Sequence, residues 1–249
     1  MTAFPGFGEL VARLSDHLRL DTAALARSAG LPAPELRAVF DGLTPTGAQL
    51  RRLAPALGLH TADLFAIADV VVPDELSPLD RNAAPRIPRL VGTAVVLPQE
   101  RRDELQRFVR SLPQEPRVRP VPEPRPYERY EHGGGGALLM RMAANRNLGR
   151  TAAARTFLLL TGRYWSAATY GAVGRGRIPL TPDLVADFAT VLGIPTGILA
   201  ALTGIEPAGA APAQDRATTY AAEIIWDARR LSADQLRRCT TVAQALKQH

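Results

Sequence analysis

The residues best equipped for covalent or metal chemistry are few and scattered. Cys239 is the only cysteine, which rules out an intramolecular disulfide or a CxxC metal site and fits a reduced, cytoplasmic setting. His17, His60, His132 and His249 lie far apart in the chain, with no spacing that suggests zinc ligands or a histidine-based catalytic cluster. Two glycine clusters invite a phosphate-loop reading. Gly133 to Gly136 have no strand signal before them and no GKS or GKT after them, so they read as a hinge. Gly171, Gly174 and Gly176 form GxxGxG, the reverse of the dinucleotide spacing, and they end a helical pattern instead of opening one. No paired acid and base, nucleophile elbow, metal cluster or phosphate loop stands out. The chain does not read as an enzyme, and it implies no cofactor and no metal.

Arginine, by contrast, is abundant. The 249 residues carry a net charge of +6, and Lys247 is the only lysine among 30 basic residues. That balance permits an anionic partner, nucleic acid being the commonest; a GC-rich genome accounts for the preference for arginine equally well. A hydrophobic content of 46% against 22% charged residues is ordinary for a folded chain. Glu9 and Asp16 interrupt the start, so no signal peptide is expected. The longest strongly apolar stretch, Phe157 to Leu160, falls far short of the roughly 18 residues a membrane helix needs.

The elements that must position these arginines are helical. Leu10, Val11, Leu14 and Leu18 share one face, followed by Leu25, Ala26 and Ala29, then Leu36, Val39 and Phe40, then Leu50, Leu53 and Leu57, then Leu64 and Ile67. The periodicity predicts five short helices. Only Val91 to Leu97 suggests a strand. Pro113, Pro116, Pro120, Pro122, Pro124 and Pro126 crowd into a stretch that cannot propagate a helix, predicting an interdomain linker.

Across that linker the chain repeats itself. Leu57-Gly58-Leu59-His60-Thr61 with Leu64 returns 135 residues later as Leu192-Gly193-Ile194-Pro195-Thr196 with Leu199. Gly42 to Pro45 returns as Gly176 to Pro179, and the helix from about Pro98 to Leu112 returns as Ser232 to Leu246. A duplicated unit is the natural reading. The expected organisation is a first domain at 1–72, a trailing helix and linker at 73–126, a second domain at 127–206 and C-terminal helices at 207–249. The trailing helices either pack on each other or serve a homodimer, and Ile224, Ile225 and Trp226 make the segment before the last helix apolar enough to lie on the body.

The segment Leu25 to Thr46 has helix-turn-helix grammar. Ala26 is small where helices cross, Gly30 suits a left-handed stop, Pro32 and Pro34 suit a helix opening, and Leu36 and Val39 anchor one face. In this succession the chain resembles the Cro/C1-type (Xre family) repressors, over Phe7 to Val70 and, more loosely, Ala137 to Ile205. The resemblance implies an all-α fold of two five-helix lambda-repressor-like helix-turn-helix domains in tandem, each followed by a trailing helix. It also implies a transcriptional regulator of double-stranded DNA.

In that family the third helix enters the major groove while flanking groups hold phosphates. Carried onto this chain, the first domain presents Ala33, Pro34, Glu35, Arg37 and Ala38, of which only Arg37 suits guanine. Residues 1–72 hold six arginines against seven acids, and residues 127–206 hold eight against five. The resemblance places Arg163, Tyr164, Trp165, Ser166 and Thr169 at the opening of the second recognition helix, with Arg175 and Arg177 after it. Arg146 and Arg150 fall where phosphate contacts are expected. The second domain is therefore expected to supply most of the DNA affinity. The rival expectation is a protein-interaction module whose degenerate heads contact a regulatory protein or the transcription machinery; neither reading involves a membrane.

Overall fold

The structure is a computed structural model that describes residues 4–117, 130, 134–209 and 215–248. Most of the proline-rich stretch, Gly133, His132 and His249 lie outside the described residues. All regular structure among the described residues is helical. The order is α1 (Phe7–His17), α2 (Thr22–Ala29), α3 (Ala33–Phe40), α4 (Gly47–Ala56) and α5 (Thr61–Ile67), a 3₁₀ turn (Arg81–Arg86), then α6 (Ile87–Ala94) and α7 (Gln99–Ser111). There follow α8 (Gly134–Asn145), α9 (Arg150–Thr161), α10 (Ala167–Gly174), α11 (Pro182–Leu192), α12 (Thr196–Thr203), α13 (Arg216–Ala228) and α14 (Ala233–Gln248). None is long and apolar enough to cross a membrane.

The expectation of a strand at Val91 to Leu97 is corrected: the segment lies on α6 and the turn after it. Ile87, Leu90, Val91 and Ala94 are buried together, and their i, i+3, i+4, i+7 spacing is helical despite the valines. The first trailing segment is richer than the single helix expected, because it supplies both α6 and α7, and the C-terminal segment supplies α13 and α14. α6 and α7 pack with α13 and α14. Tyr220 Oη donates to the Arg102 carbonyl at 2.6 Å, and Arg110 Nε donates to Asp227 at 2.7 Å across α7 and α13. Cys239 is buried in this cluster, and burial pushes its thiol up to about 11.

Within the first five helices α1 packs on α3, α2 on α3 and α4, and α4 on α5; α8 to α12 make the corresponding contacts. Local chemistry explains the likeness. Thr46 caps α4 just as Thr181 caps α11, satisfying amide donors that a helix start leaves open; Asp21 on α2 and Ser166 on α10 cap helices whose counterparts, α9 and α3, start without a side-chain cap. Gly30 and Gly162 end α2 and α9 at φ 63° and 72°, a left-handed stop that costs glycine nothing. Even Arg19 and Asn147 share an unusual positive φ, at 56° and 58°.

The tightest common feature is a glycine in each leading helix. A Cβ on Gly8 would fall 2.5 Å from the Phe40 carbonyl oxygen, and one on Gly136 would strike the Val173 carbonyl oxygen. In both places the leading helix rides directly on the end of the third helix. The two sets differ in α9, which is four residues longer than α2; in this extended part Leu159 lies on Gly92 of α6.

Two reciprocal contacts join the sets, α1 on α12 and α5 on α8. First helix meets fifth helix in both directions, as a local two-fold axis requires. Because the colliding atoms are backbone, Gly8→Ala and Gly136→Ala should each lower unfolding free energy by about 1–3 kcal/mol. Gly149→Ser, at a helix cap with open space around it, should leave stability unchanged or raise it. Chemical denaturation of the three variants measures this directly.

Candidate nucleic-acid interface and the junction behind it

The α9–α10 corner brings together most of the arginines singled out in the sequence, but in unequal roles. Arg163 lies in the turn after Gly162, where its Nε donates to Asp187 of α11 and its guanidinium carbon sits 5.0 Å over the Trp165 ring. Its side chain is only 25% exposed. Burial raises the Asp187 carboxyl, and Arg163 opposes that shift. Arg163 thus clamps the turn to α11. Trp165 packs inward, its ring 5.8 Å from Tyr170, whereas Tyr164 is 84% exposed. Ser166 caps α10 through the Thr169 amide, and the two hydroxyls are 2.9 Å apart.

Arg150 opens α9 and Arg175 follows α10, and they converge on Gly171 of α10. A Cβ there would lie 2.8 Å from Arg150 Nη1 and 3.3 Å from Arg175 Nη1. Both arginines are half-buried and have other partners. Arg177 is exposed, as is Arg155 on α9, which sequence reasoning did not single out. Residues 132–182 contain seven arginines and no Asp or Glu, so no acid from this stretch offsets them. The outward positions of α10 itself are short, with Ala168 exposed and Ala172 half-buried.

The corresponding corner of the first set is more acidic. Arg37 is exposed on α3, next to Glu35, whose carboxylate accepts from Gln49 Nε2 at 3.2 Å. Arg52 turns back to the Gly30 carbonyl at 2.9 Å, and Arg27 is exposed.

Arg146 requires correction as a phosphate contact. It is 0% exposed, and all five guanidinium N–H donors are taken up. Nη1 and Nη2 reach the two Asp63 oxygens at 2.9 Å each, Nη1 also reaches the Met142 carbonyl at 3.0 Å, and Nε and Nη2 reach the Leu192 carbonyl at 3.1 and 2.7 Å. Asn145 Nδ2 adds bonds to Asp63 at 3.1 Å and to the Ala62 carbonyl at 2.8 Å. Asp63 sits in the first turn of α5, and Leu192 ends α11. Carboxylate and guanidinium therefore meet the helix ends that favour them. Nothing in the sequence near Arg146 marks a carboxylate 83 positions away as its partner.

Beside this pair the His60 ring stacks on Trp226 of α13, with centroids 3.5 Å apart and planes within 7°. The Arg229 guanidinium carbon lies 3.7 Å from the same indole. His60 keeps solvent exposure, yet burial lowers its pKa to about 4; Asp63 opposes the shift, while Arg146 and Arg229 reinforce it. Among the described residues no group of His, Cys, Asp and Glu could hold a metal ion.

Two outcomes follow from the junction. Asp63→Ala should cost about 3–5 kcal/mol by stranding a buried guanidinium, and Asp63→Leu with Arg146→Met should recover most of it; both are read from denaturant unfolding. The folded state resists protonating His60 until about pH 4, whereas the unfolded imidazole takes a proton near 6.5. Stability should therefore be complete above that window and fall as pH drops through it. His60→Phe, which keeps a ring on Trp226, should flatten the fall in melting temperature.

Comparison with protein-family models, with curated proteins and with solved structures finds no match in any of the three, so the functional reading rests on the residues themselves.

Proposed function

We propose that this chain is a DNA-binding transcriptional regulator with two helix-turn-helix units in tandem, α1–α5 and α8–α12, the second supplying most of the affinity. The observation that carries the reading is the α9–α10 corner: a left-handed glycine stop, a serine-capped helix, and Arg150, Arg155, Arg175 and Arg177 around it in a stretch free of acids. Phosphate oxygens would meet guanidinium groups there, with Tyr164 and Ser166 beside the groove edge. The unit that a dimeric regulator would recruit from a second chain is supplied in cis.

The short side chains of α10, and the engagement of Glu35 by Gln49 on α3, favour a second reading in which the heads contact a regulatory protein. Titration of duplex DNA at two salt concentrations separates the two. Wild-type binding should weaken steeply with salt, and Arg175→Ala with Arg177→Ala should reduce the slope of log affinity against log salt by about one per arginine. Arg37→Ala should have the smaller effect. No binding to random genomic duplex, together with capture of a protein that survives nuclease and high salt, would replace the regulator reading with the interaction module.

A further inference from the structure

The last turn of α9 is an addition. Aligned from their first residues, α2 ends at Ala29 opposite Phe157, so Leu158, Leu159, Leu160 and Thr161 have no counterpart in the first helix set. Leu160 packs on the core, and Leu159 rests on α6, its Cδ atoms 3.6 Å from where a Gly92 Cβ would stand. Even so, Leu159 stays 45% exposed and Leu158 41%. Val96, in the turn just past Gly92, is 57% exposed. Three of the six exposed large apolar side chains described therefore belong to this α6–α9 ridge, and a cluster carries more meaning than scattered single residues.

The rim of the ridge is cationic. Arg155 precedes Leu158 and Leu159 by three and four positions, which puts it beside them on α9, and Arg89 stands three positions before Gly92 on α6. Both arginines are exposed, and neither has a carboxylate partner among the described residues. Residues 81–99 and 132–182, which supply the ridge, contain no Asp or Glu. That combination selects among occupants. A second copy meeting the ridge about a two-fold axis would set Arg155 near its own copy, with no acid from these stretches between them. Nucleic acid would pair with the arginines but leave three aliphatic side chains unmatched. A helix whose apolar stripe is flanked by carboxylates satisfies both.

We infer that the α6–α9 ridge docks an acidic amphipathic helix of a partner protein, whose apolar anchors lie on Val96, Leu158 and Leu159 and whose carboxylates meet Arg89 and Arg155. Only Arg155 is shared with the proposed DNA interface, and the docking does not depend on DNA binding.

The test is selection of peptides that bind the full chain from a random phage-displayed library, followed by fluorescence anisotropy with the best synthetic peptide. Enrichment of sequences with apolar residues at i, i+3, i+4 and i+7 and with Glu or Asp between them is expected. Leu158→Gln and Val96→Gln, both at exposed positions on different helices, should each weaken that peptide about tenfold or more while the thermal transition persists. The inference is overturned if no peptide is enriched, if the enriched peptides lack acids, or if both variants bind them as tightly as wild type. A dimer of the chain that Leu158→Gln dissociates would overturn it too, by assigning the ridge to a second copy.

Discussion

The buried ion pair between Asp63 and Arg146 is the constraint on which the arrangement depends. Removing two charges from water costs several kcal/mol per ion, and only near-complete hydrogen bonding offsets that. Here the guanidinium spends every donor on Asp63, Met142 and Leu192, and Asn145 adds to the carboxylate. The pair sits where α5 of the first set meets α8 and α11 of the second. Sliding one set over the other by even a helical turn would strand both charges, so the junction fixes register as well as contact.

Its asymmetry adds to that. The local two-fold places Leu18 where Arg146 stands, and Ile198 where Asp63 stands. At that end His17 instead lies against Gly197, where a Cβ would come within 2.5 Å of the ring. One end of the junction thus carries an ion pair where the equivalent positions at the other end hold two aliphatic residues. The stack of His60 on Trp226 extends the ionic end to α13, tying the four trailing helices to the same point.

Much of this was legible in the sequence, and the omissions have physical causes. The helical faces from Leu10 to Ile67, the Gly30 and Gly162 stops and the later 134–135 residue offset all follow from local spacing, which short-range sterics enforce. The leading helices escaped the repeat because their offset is 128, as the paired φ of Arg19 and Asn147 shows; the longer α9 and the longer turn after it account for the difference. α6 was misread because valines near Val91 carry β-propensity, whereas its burial obeys the helical period. Arg146 was misassigned for a deeper reason. A surface arginine and one buried against a distant aspartate look alike until the chain is folded.

At the candidate interface, local patterning identified the arginine-rich corner but could not divide its members. Arg163 braces Asp187, Arg150 and Arg175 lie over Gly171, and Arg177 faces solvent, because tertiary partners decide which guanidiniums remain exposed. The proposal that the second helix-turn-helix unit leads on DNA is tested most directly by selecting bound duplexes from a random pool with the full chain and footprinting the winners. The account predicts a salt-sensitive, asymmetric footprint whose stronger half is lost with Arg175→Ala and Arg177→Ala. Failure to enrich any duplex, or a footprint whose stronger half depends on Arg37, would contradict it.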